Sequence, residues 1–281
     1  MSALSLATVD SVPSIEKNEF TSSYFKPLKP LVIKDLATSW PALDKWSPTF
    51  FKMQHGEKQV KVYDGSFVEA GDNYMSSAKL LAFRDYVDAV VSSDQDLRMF
   101  LYNIKSEIPE LVDDIVFPDL TDSLSKNFVF MFFGAKGSVT QMHFDIDMSH
   151  VFHTALYGSK TVYLFPYEQS RNLHRYPFTC RSYVDVENPD FERFPGLKQA
   201  EGYKVKLERG DTLYIPSGYW HHFVYNESGY AISLRCSNET LLGKAHGIYN
   251  LLVMSMIDRL MNKISPKGWF DWKEQQALRL H

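Results

Sequence analysis

The polar and apolar positions in the middle of the chain follow the pattern of β-strands. Residues 128–133 are all apolar and lead into a glycine-containing turn, as a buried strand does. Residues 161–166 are rich in β-branched and aromatic types, residues 58–63 alternate between polar and apolar, and residues 98–102 are apolar after a single arginine. This succession of short strands and turns predicts a closed or double-sheet β-barrel that holds a small ligand.

Helical spacing of apolar residues precedes this region. Ser47 before Pro48 predicts a helix start, because serine caps a helix and proline fits its first turn. A second helix is predicted from Ser76 or Ser77 onward by apolar residues at helical spacing, namely Leu80, Phe83, Val87 and Val90. We assign these apolar residues to the core.

After Asn238 the pattern becomes helical again. The apolar residues that recur there are Leu241, Ala245, Ile248, Leu252, Met256 and Leu260, and Met254, Ile257 and Met261 widen their face. We therefore divide the chain into a main domain, residues 1–240, which includes an N-terminal helix-strand extension, and a C-terminal helical segment, residues 241–281. The wide apolar face predicts a homodimer through this segment. The alternative is a helix folded back on its own sheet.

Composition and charge limit which kinds of partner and which cellular location we expect for the protein. The 281 residues are 44% hydrophobic, which is enough for a large core, and a net charge of -4 gives no reason to expect direct binding to nucleic acid. The first residues do not form a basic leader, and no apolar run is long enough to cross a membrane. Cys180 and Cys236 are too few for a disulfide framework. We therefore expect a cytoplasmic protein.

One short segment carries the strongest chemical signal. His143 and Asp145 lie two residues apart in a predicted strand, so their side chains point to the same face and offer two metal ligands. A third ligand is available from His221 or His222, and strand alternation alone does not choose between them. Two histidines and one carboxylate on one face of a metal leave the opposite positions open, as in non-haem Fe(II) oxygenases.

Several segments, in the same order along the chain, resemble the Jumonji-C and cupin-like 2-oxoglutarate oxygenases. They are His143-Phe144-Asp145, Gly158-Ser159-Lys160, Leu164-Phe165-Pro166, residues 184–195, residues 210–216 and Trp220-His221-His222. The resemblance is strongest between residues 128 and 236. Within this group the chain is most similar to the asparaginyl hydroxylase that inhibits hypoxia-inducible factor. Each motif is short, but the combined order is specific.

The resemblance implies a fold and a cofactor set. The fold is mainly β with flanking helices, around a double-stranded β-helix (cupin or jelly-roll) core. Fe(II) is expected on His143, Asp145 and His221, with 2-oxoglutarate and O2 as cosubstrates. Thr140 and Lys160 match the residues that bind the distal carboxylate of 2-oxoglutarate, which needs a cation and a hydroxyl when it is buried.

Two further contacts to the cosubstrate are expected by resemblance. Tyr102, or Phe100 on the same strand face, stands where related enzymes place a tyrosine hydroxyl. Arg235 or Cys236 stands where the asparaginyl hydroxylase has an asparagine. These differences alter the surroundings of the cosubstrate and leave the three metal ligands in place.

The segment between residues 167 and 203 is rich in Arg, Tyr, Phe, Pro and Asp, and is longer than a strand connection requires. Such insertions commonly form the substrate rim, so Arg181 and Tyr183 are candidate rim residues. They do not reproduce the polar pair of the asparaginyl hydroxylase, so its target side chain is not carried over. A protein or peptide side chain is the favoured substrate. A free amino acid or other small molecule, and a metal-binding cupin without redox turnover, are the alternatives.

Overall fold

The computed structural model describes residues 3–69, 74, 76–92 and 96–279, and most of these residues belong to strands or to helices that flank them. The strands are β1 Ser5–Thr8, β2 Asp10–Val12, β3 Leu31–Ile33, β4 Gln59–Val62, β5 Lys79–Ala82, β6 Arg98–Asn103, β7 Leu124–Gly134, β8 Val139–His143, β9 His150–Tyr157, β10 Lys160–Phe165, β11 Glu201–Leu207, β12 Thr212–Ile215, β13 Trp220–Tyr225 and β14 Gly229–Cys236. The α-helices are α1 Lys17–Phe20, α2 Pro41–Lys45, α3 Pro48–His55, α4 Phe83–Ser92, α5 Ile104–Glu107, α6 Leu241–Tyr249, α7 Ser255–Ile264 and α8 Pro266–Leu278.

Two sheets form the double-stranded β-helix. One sheet has five strands in the order β1-β11-β10-β13-β8, and the other has seven in the order β2-β3-β12-β9-β14-β7-β6. Apolar side chains from both sheets, among them Val151, Val162, Leu164, Leu213 and Phe223, pack together between them. The predicted mainly β fold with a jelly-roll core and flanking helices is confirmed.

The outer faces of the two sheets are covered by different parts of the chain. Helices α3 and α4 cover the seven-stranded sheet, where Phe51 lies 5.3 Å from Phe133 and 5.2 Å from Tyr230 between ring centroids. The connection between β10 and β11 covers the five-stranded sheet, and its Leu173 and Leu197 are fully buried against Trp220 and other residues of that face. The space between the sheets is where the inward-facing side chains of both sheets meet.

The structure corrects the predicted helix that was to begin at Ser76 or Ser77. Leu80 lies in β5, where it pairs with Lys61 of β4, and helix α4 begins at Phe83. Leu80 is 55% exposed, whereas Phe83, Val87 and Val90 are buried as predicted. Pairing with the open edge of β4 therefore outweighs the helical spacing of this one residue.

The C-terminal helices pack against the connection between β10 and β11. The His174 imidazole contacts the backbone oxygen of Ala277 at 2.9 Å, and Arg193 forms an ion pair with Glu274. Met254 was predicted to widen the exposed apolar face, but it is 2% exposed and lies under the Arg175 guanidinium. That part of the prediction is wrong, because the chain forms a π-helical turn over residues 250–254 that points Met254 inward.

A separate row of residues on these helices remains uncovered. Ile248, Leu252, Met256 and Leu260, spaced four residues apart, are each more than half exposed. Among the described residues, no helix is both long and apolar enough to span a membrane. The row is therefore an exposed apolar surface on a helix that lies outside the barrel.

Candidate metal centre

The pairing of β8 with β13 brings two histidines together. His143 lies directly opposite His221 in the antiparallel register, and their ring centroids are 4.2 Å apart. Asp145 follows just beyond the end of β8, and one ligand atom from each of these three residues lies within 4.8 Å of the others. In the part of the chain that the structure describes, this is the one group of three or more such residues close enough to hold a metal ion.

Both imidazoles present the nitrogen that a metal requires. The Nδ1 of His143 is 2.8 Å from the backbone oxygen of Gln141, and the Nδ1 of His221 is 3.0 Å from that of Tyr219. A carbonyl oxygen only accepts, so each Nδ1 carries the proton and donates it. The lone pair on each Nε2 is then available to a metal, in the arrangement that orients histidine ligands in metalloproteins.

The charge state of the three residues also suits a metal ion. Burial, together with His221 and Arg181 nearby, holds the pKa of His143 well below its usual value, and burial lowers the pKa of His221. Burial alone would raise the pKa of Asp145, but Arg235 and the two imidazoles outweigh it and lower that pKa to about 2. At neutral pH the group is two neutral imidazoles and one carboxylate, which is the donor set of a facial Fe(II) site.

Arg235 has a different position from the one expected. Its guanidinium donates to Asp145 at 2.7 Å and to the Ser149 hydroxyl at 2.7 Å, and it lies 3.4 Å from Asp147. The Arg235 side chain is 10% exposed, so this ion pair is shielded from water. Arg235 therefore holds the Asp145 carboxylate in place through one guanidinium nitrogen, while a second nitrogen binds Ser149. Cys236 is the next residue of β14 and points to the opposite side. It is buried in the outer core, which is the apolar layer between the seven-stranded sheet and helices α3 and α4.

A β-bulge places Thr140 on the inner face. His221 pairs with His143, and Phe223 pairs with Thr140. Between these two pairs β13 advances by two residues and β8 by three, so β8 contains one extra residue. His221 and Phe223 share a face, so their partners His143 and Thr140 do as well, although they are three residues apart. The structure thus brings Thr140 to the same side of the strand as the metal ligands.

Lys160 enters the barrel from a tight turn. Gly158 adopts a positive φ of 69°, which lets the chain reverse between β9 and β10, and Lys160 then pairs with Tyr225. Its ammonium lies 4.3 Å from the Tyr225 ring centroid and 3.4 Å from the His153 Nε2. The residue is 1% exposed, and burial lowers the pKa of its ammonium to about 7. Lys160 is thus an interior lysine on the same face of the barrel as His221 and Phe223.

The lining around Lys160 includes residues that sequence reasoning left without a role. His153 contacts the Ser233 hydroxyl at 2.8 Å through Nδ1, and its ring packs against Phe223 and Phe132. The sequence does place His153 in the strand directly before the turn to Lys160, which indicates that the two residues could lie close together. Without the register between β9 and β14, however, its face could not be assigned.

The structure does not bring Tyr102 to this site. Met99 pairs with Phe133 and Tyr102 pairs with Met131, and both of these partners face the core under helices α3 and α4. A register shift between Met99 and Tyr102, where Leu101 has a positive φ of 54°, turns Tyr102 to the same side as Met99. The prediction that Phe100 and Tyr102 share a face is therefore wrong. Tyr102 packs 6.4 Å from Phe83 between ring centroids, on the side away from the barrel interior.

The two predicted rim residues lie on the connection that passes β8, and Arg181 is adjacent to His143. Arg181 forms an isolated backbone bridge with His143, and its guanidinium lies 4.9 Å from the Phe67 ring centroid. The Tyr183 hydroxyl donates to the backbone oxygen of Val68 at 2.9 Å. The connection that carries them therefore runs along the open edge of β8.

Comparison with known proteins identifies the family of this chain. A family model described as a cupin-like domain matches residues 17–236. The chain belongs to the cupin-like domain family. Among its relatives are JmjC domain-containing protein D of Dictyostelium discoideum, 32% identical over 73% of this chain and 50% of the relative, and lysine-specific demethylase 8 of Xenopus tropicalis, 28% identical over 79% and 50%. The tRNA wybutosine-synthesizing protein 5 of Gallus gallus is 23% identical over 80% of this chain and 76% of the relative. This cupin-like chain spans about half the length of the first two.

Removing any one of the three clustered side chains should abolish tight metal binding. His143→Ala, Asp145→Ala and His221→Ala each leave two ligands, which a facial site with open positions does not tolerate. The neighbouring variant His222→Ala should retain metal, because His222 lies on the other face of β13. Metal content after dialysis and the circular dichroism spectrum are the measurements. Loss of metal from His222→Ala but not from His221→Ala would contradict the assignment.

Removing Arg235 should weaken metal binding without removing a ligand. Arg235→Met leaves Asp145 without its ion-pair partner, so metal affinity should fall about 10- to 100-fold, the usual range for residues that orient a ligand. The pKa of Asp145 should rise, so metal should be lost at a higher pH on acidification. Arg235→Lys should be intermediate, and Arg259→Met, on exposed helix α7, is the matched control. An affinity unchanged in Arg235→Met at every pH would refute this role.

Proposed function

We propose that this chain is an Fe(II)- and 2-oxoglutarate-dependent dioxygenase that hydroxylates a C–H bond of a protein or peptide side chain. The observation that carries the proposal is the combination of a facial His143–Asp145–His221 group with an interior lysine on the same barrel face. The membership of the cupin-like domain family supports it. A metal-binding cupin without redox turnover would need the metal ligands but would have no use for the lysine.

The lysine supports binding of a dicarboxylic acid. A buried ammonium is costly unless an anion accompanies it, and no carboxylate of the described residues forms an ion pair with Lys160. Tyr225, which pairs with Lys160, is four residues from His221 along β13, a span of about 13 Å. The long Lys160 side chain can reach across part of this distance. Phe223 and Thr140 lie between. A small molecule that contacts the metal at one end therefore has a cation and a hydroxyl near its other end.

Each residue then has a distinct task. When bound, Fe(II) with 2-oxoglutarate and O2 supplies the oxidant that inserts oxygen into a C–H bond, as 2-oxoglutarate is converted to succinate and CO2. His143, Asp145 and His221 would hold the iron, and Arg235 keeps the Asp145 carboxylate ionised and oriented. Lys160 and Thr140 would bind the distal carboxylate, while the apolar residues around Phe223 exclude water from the pocket.

The names of the relatives indicate which substrates to test. Demethylation of an N-methyl group is a hydroxylation at its C–H bond followed by loss of the carbinol carbon, so a demethylase reaction belongs to the proposed class. One relative is named for lysine demethylation and another for tRNA wybutosine synthesis. The net charge of -4 still favours a protein over a nucleic acid. A small-molecule substrate remains the alternative, and both it and tRNA belong in the screen.

Turnover of the cosubstrate tests the proposal directly. Purified protein with Fe(II), ascorbate, O2 and 2-oxoglutarate should produce succinate, and production should rise when peptide, histone, tRNA or metabolite pools contain the substrate. Zn(II) in place of Fe(II) should give none. Tight metal binding with no iron-dependent succinate across all pools would instead indicate a cupin without redox turnover.

Loss of Lys160 should impair cosubstrate binding selectively. Lys160→Met should weaken 2-oxoglutarate binding about 10- to 100-fold, because one charge-assisted hydrogen bond is lost from a dry pocket. Metal affinity should change little. Lys206→Met, on the exposed side of neighbouring strand β11, is the control. Calorimetric titration of 2-oxoglutarate into metal-loaded protein is the measurement, and an unchanged titration for Lys160→Met would exclude the role.

The same titration has an expected pH dependence. Burial lowers the pKa of Lys160 to about 7, so the free protein carries the charged form below this pH and loses it above. Binding of the dicarboxylate should therefore weaken roughly 10- to 30-fold between pH 6.5 and 8.5, since a neutral amine must first take up a proton. Lys160→Met should show no such trend.

We also propose that the chain forms a homodimer through its C-terminal helices. Ile248, Leu252, Met256 and Leu260 form an apolar row, and each of these side chains is more than half exposed. Pairing two copies about a two-fold axis buries such a row on both chains at once. This places the second copy on the uncovered face rather than on Met254, which packs within its own chain.

Two charges in this row should separate the dimer. The double variant Leu252→Glu and Met256→Glu should change the mass in solution from twice 32.5 kDa to a single 32.5 kDa, because four carboxylates cannot be buried together at the two-fold interface. Lys267→Glu, exposed on α8, controls for added negative charge. Size-exclusion chromatography with light scattering is the measurement, and a monomeric unmodified protein would rule the proposal out.

A further inference from the structure

A second cleft lies on the outer face of the strand pair that carries the metal ligands. It has a volume of about 260 Å³ and is formed by β8, β13 and the connection that passes along the edge of β8. His222 and Gln141 line it from the strands, and Tyr183 and Glu187 line it from the connection. His221 points into the barrel, so its neighbour His222 points to this outer side. The cleft is thus separated from the metal centre by the thickness of one sheet.

The imidazole of His222 is the unusual feature of this cleft. The residue is 4% exposed, yet neither ring nitrogen has a hydrogen-bond partner among the described residues. A carboxylate oxygen of Glu187 lies 3.7 Å from Nε2, which is beyond hydrogen-bond distance. Buried polar atoms left without partners are costly to the folded protein, so the geometry favours a guest that bonds to them.

The lining specifies the chemistry of that guest. Glu187 contributes a carboxylate, an unpartnered ring nitrogen of His222 can accept a hydrogen bond, and the residues that line the cleft include no lysine or arginine. The loop that carries Glu187 is fixed, because Asp185 accepts hydrogen bonds from the backbone N–H groups of Glu187 at 2.8 Å and Asn188 at 3.0 Å. A cationic group with several N–H donors satisfies both acceptors, since a single donor group can bridge atoms that are too far apart to bond to each other.

The walls of the cleft fit an aliphatic stem behind such a cation. Val139 and Val184 provide apolar surface, and the Tyr183 ring offers an aromatic wall while its hydroxyl is engaged with the backbone of Val68. The available volume is that of one side chain and not of a folded element. The matching group is therefore an alkylammonium or alkylguanidinium, as at the end of lysine or arginine.

We propose that this outer cleft, formed around His222 and Glu187, binds a basic side chain of the substrate protein. This assignment deepens the proposed function and rests on it, because it makes the cleft a specificity subsite beside the metal centre. Gln141 lies two residues before His143, and His222 directly follows His221, so an occupied cleft is linked through the backbone to two metal ligands.

Titration with small cations tests the site without any turnover. The protein is loaded with diamagnetic Zn(II), its histidine side chains are labelled with 15N, and the His222 ring signals are identified by their absence from His222→Asn. Ethylguanidinium and ethylammonium are added in separate titrations, with urea as a neutral guanidinium analogue and acetate as an anion. One or both cations should shift the His222 signals saturably, and the tighter of the two distinguishes arginine from lysine.

Two matched variants determine whether the carboxylate is responsible. Glu187→Gln should weaken cation binding about tenfold or more, because the ionic hydrogen bond is lost. Glu192→Gln removes the same charge from an exposed position on the same connection and should bind as the unmodified protein does. Equal binding of urea, equal binding by Glu187→Gln, or no saturable shift with either cation, which would mean that the cleft holds water only, would each overturn the proposal.

The outcome is independent of the oxygenase assay. Binding is measured with zinc and without 2-oxoglutarate, so failed cation binding would leave the proposed oxygenase reaction standing. Conversely, absence of succinate production would not affect a cation site seen by titration. If both succeed, peptides with a basic residue near the modified one should be bound more tightly than their alanine counterparts.

Discussion

The antiparallel pairing of β8 with β13 is the contact on which the metal centre depends. It sets His143 opposite His221 and so brings together two imidazoles that are far apart in the sequence. The backbone also fixes their chemistry, since carbonyl oxygens two residues before each histidine hold the Nδ1 protons. A slip of one residue in this register would turn every side chain of β8 to the other face and remove both His143 and Thr140 from the barrel.

Buried charge is the second constraint, and the protein meets it differently at the two ends of the pocket. At the metal end, Arg235 and Asp145 form a buried ion pair, so the carboxylate stays ionised before any metal arrives. At the far end, Lys160 has an aromatic ring and an imidazole for neighbours but no carboxylate of the described residues. The cost of burying this lysine is consistent with an interior prepared for an anion that is not part of the chain.

Sequence reasoning succeeded where local pattern determines structure. The strand that carries His143, the strand near 161–166 and the turn before Lys160 are local features, and the structure has them close to where they were predicted. Asp145 was predicted to lie in the same strand as His143, but β8 ends at His143 and Asp145 follows it. Sequence reasoning failed where a bulge or a tertiary partner intervenes. The shift at Leu101 moved Tyr102 to the outer core, Leu80 joined a strand edge, and Met254 turned inward at a π-helical turn. The role of Arg235 was not accessible either, because its partner Asp145 is 90 residues away in sequence.

We propose that His143, Asp145 and His221 hold one Fe(II) and that 2-oxoglutarate shares it with them. The most direct test is anomalous diffraction at the iron edge from crystals grown without oxygen in the presence of Fe(II) and 2-oxoglutarate. We expect a single strong peak at bonding distance from the two Nε2 atoms and the Asp145 carboxylate, with density for the dicarboxylate extending from the metal to Lys160. A peak on His222, His153 or His150, or a dicarboxylate bound away from Lys160, would contradict it.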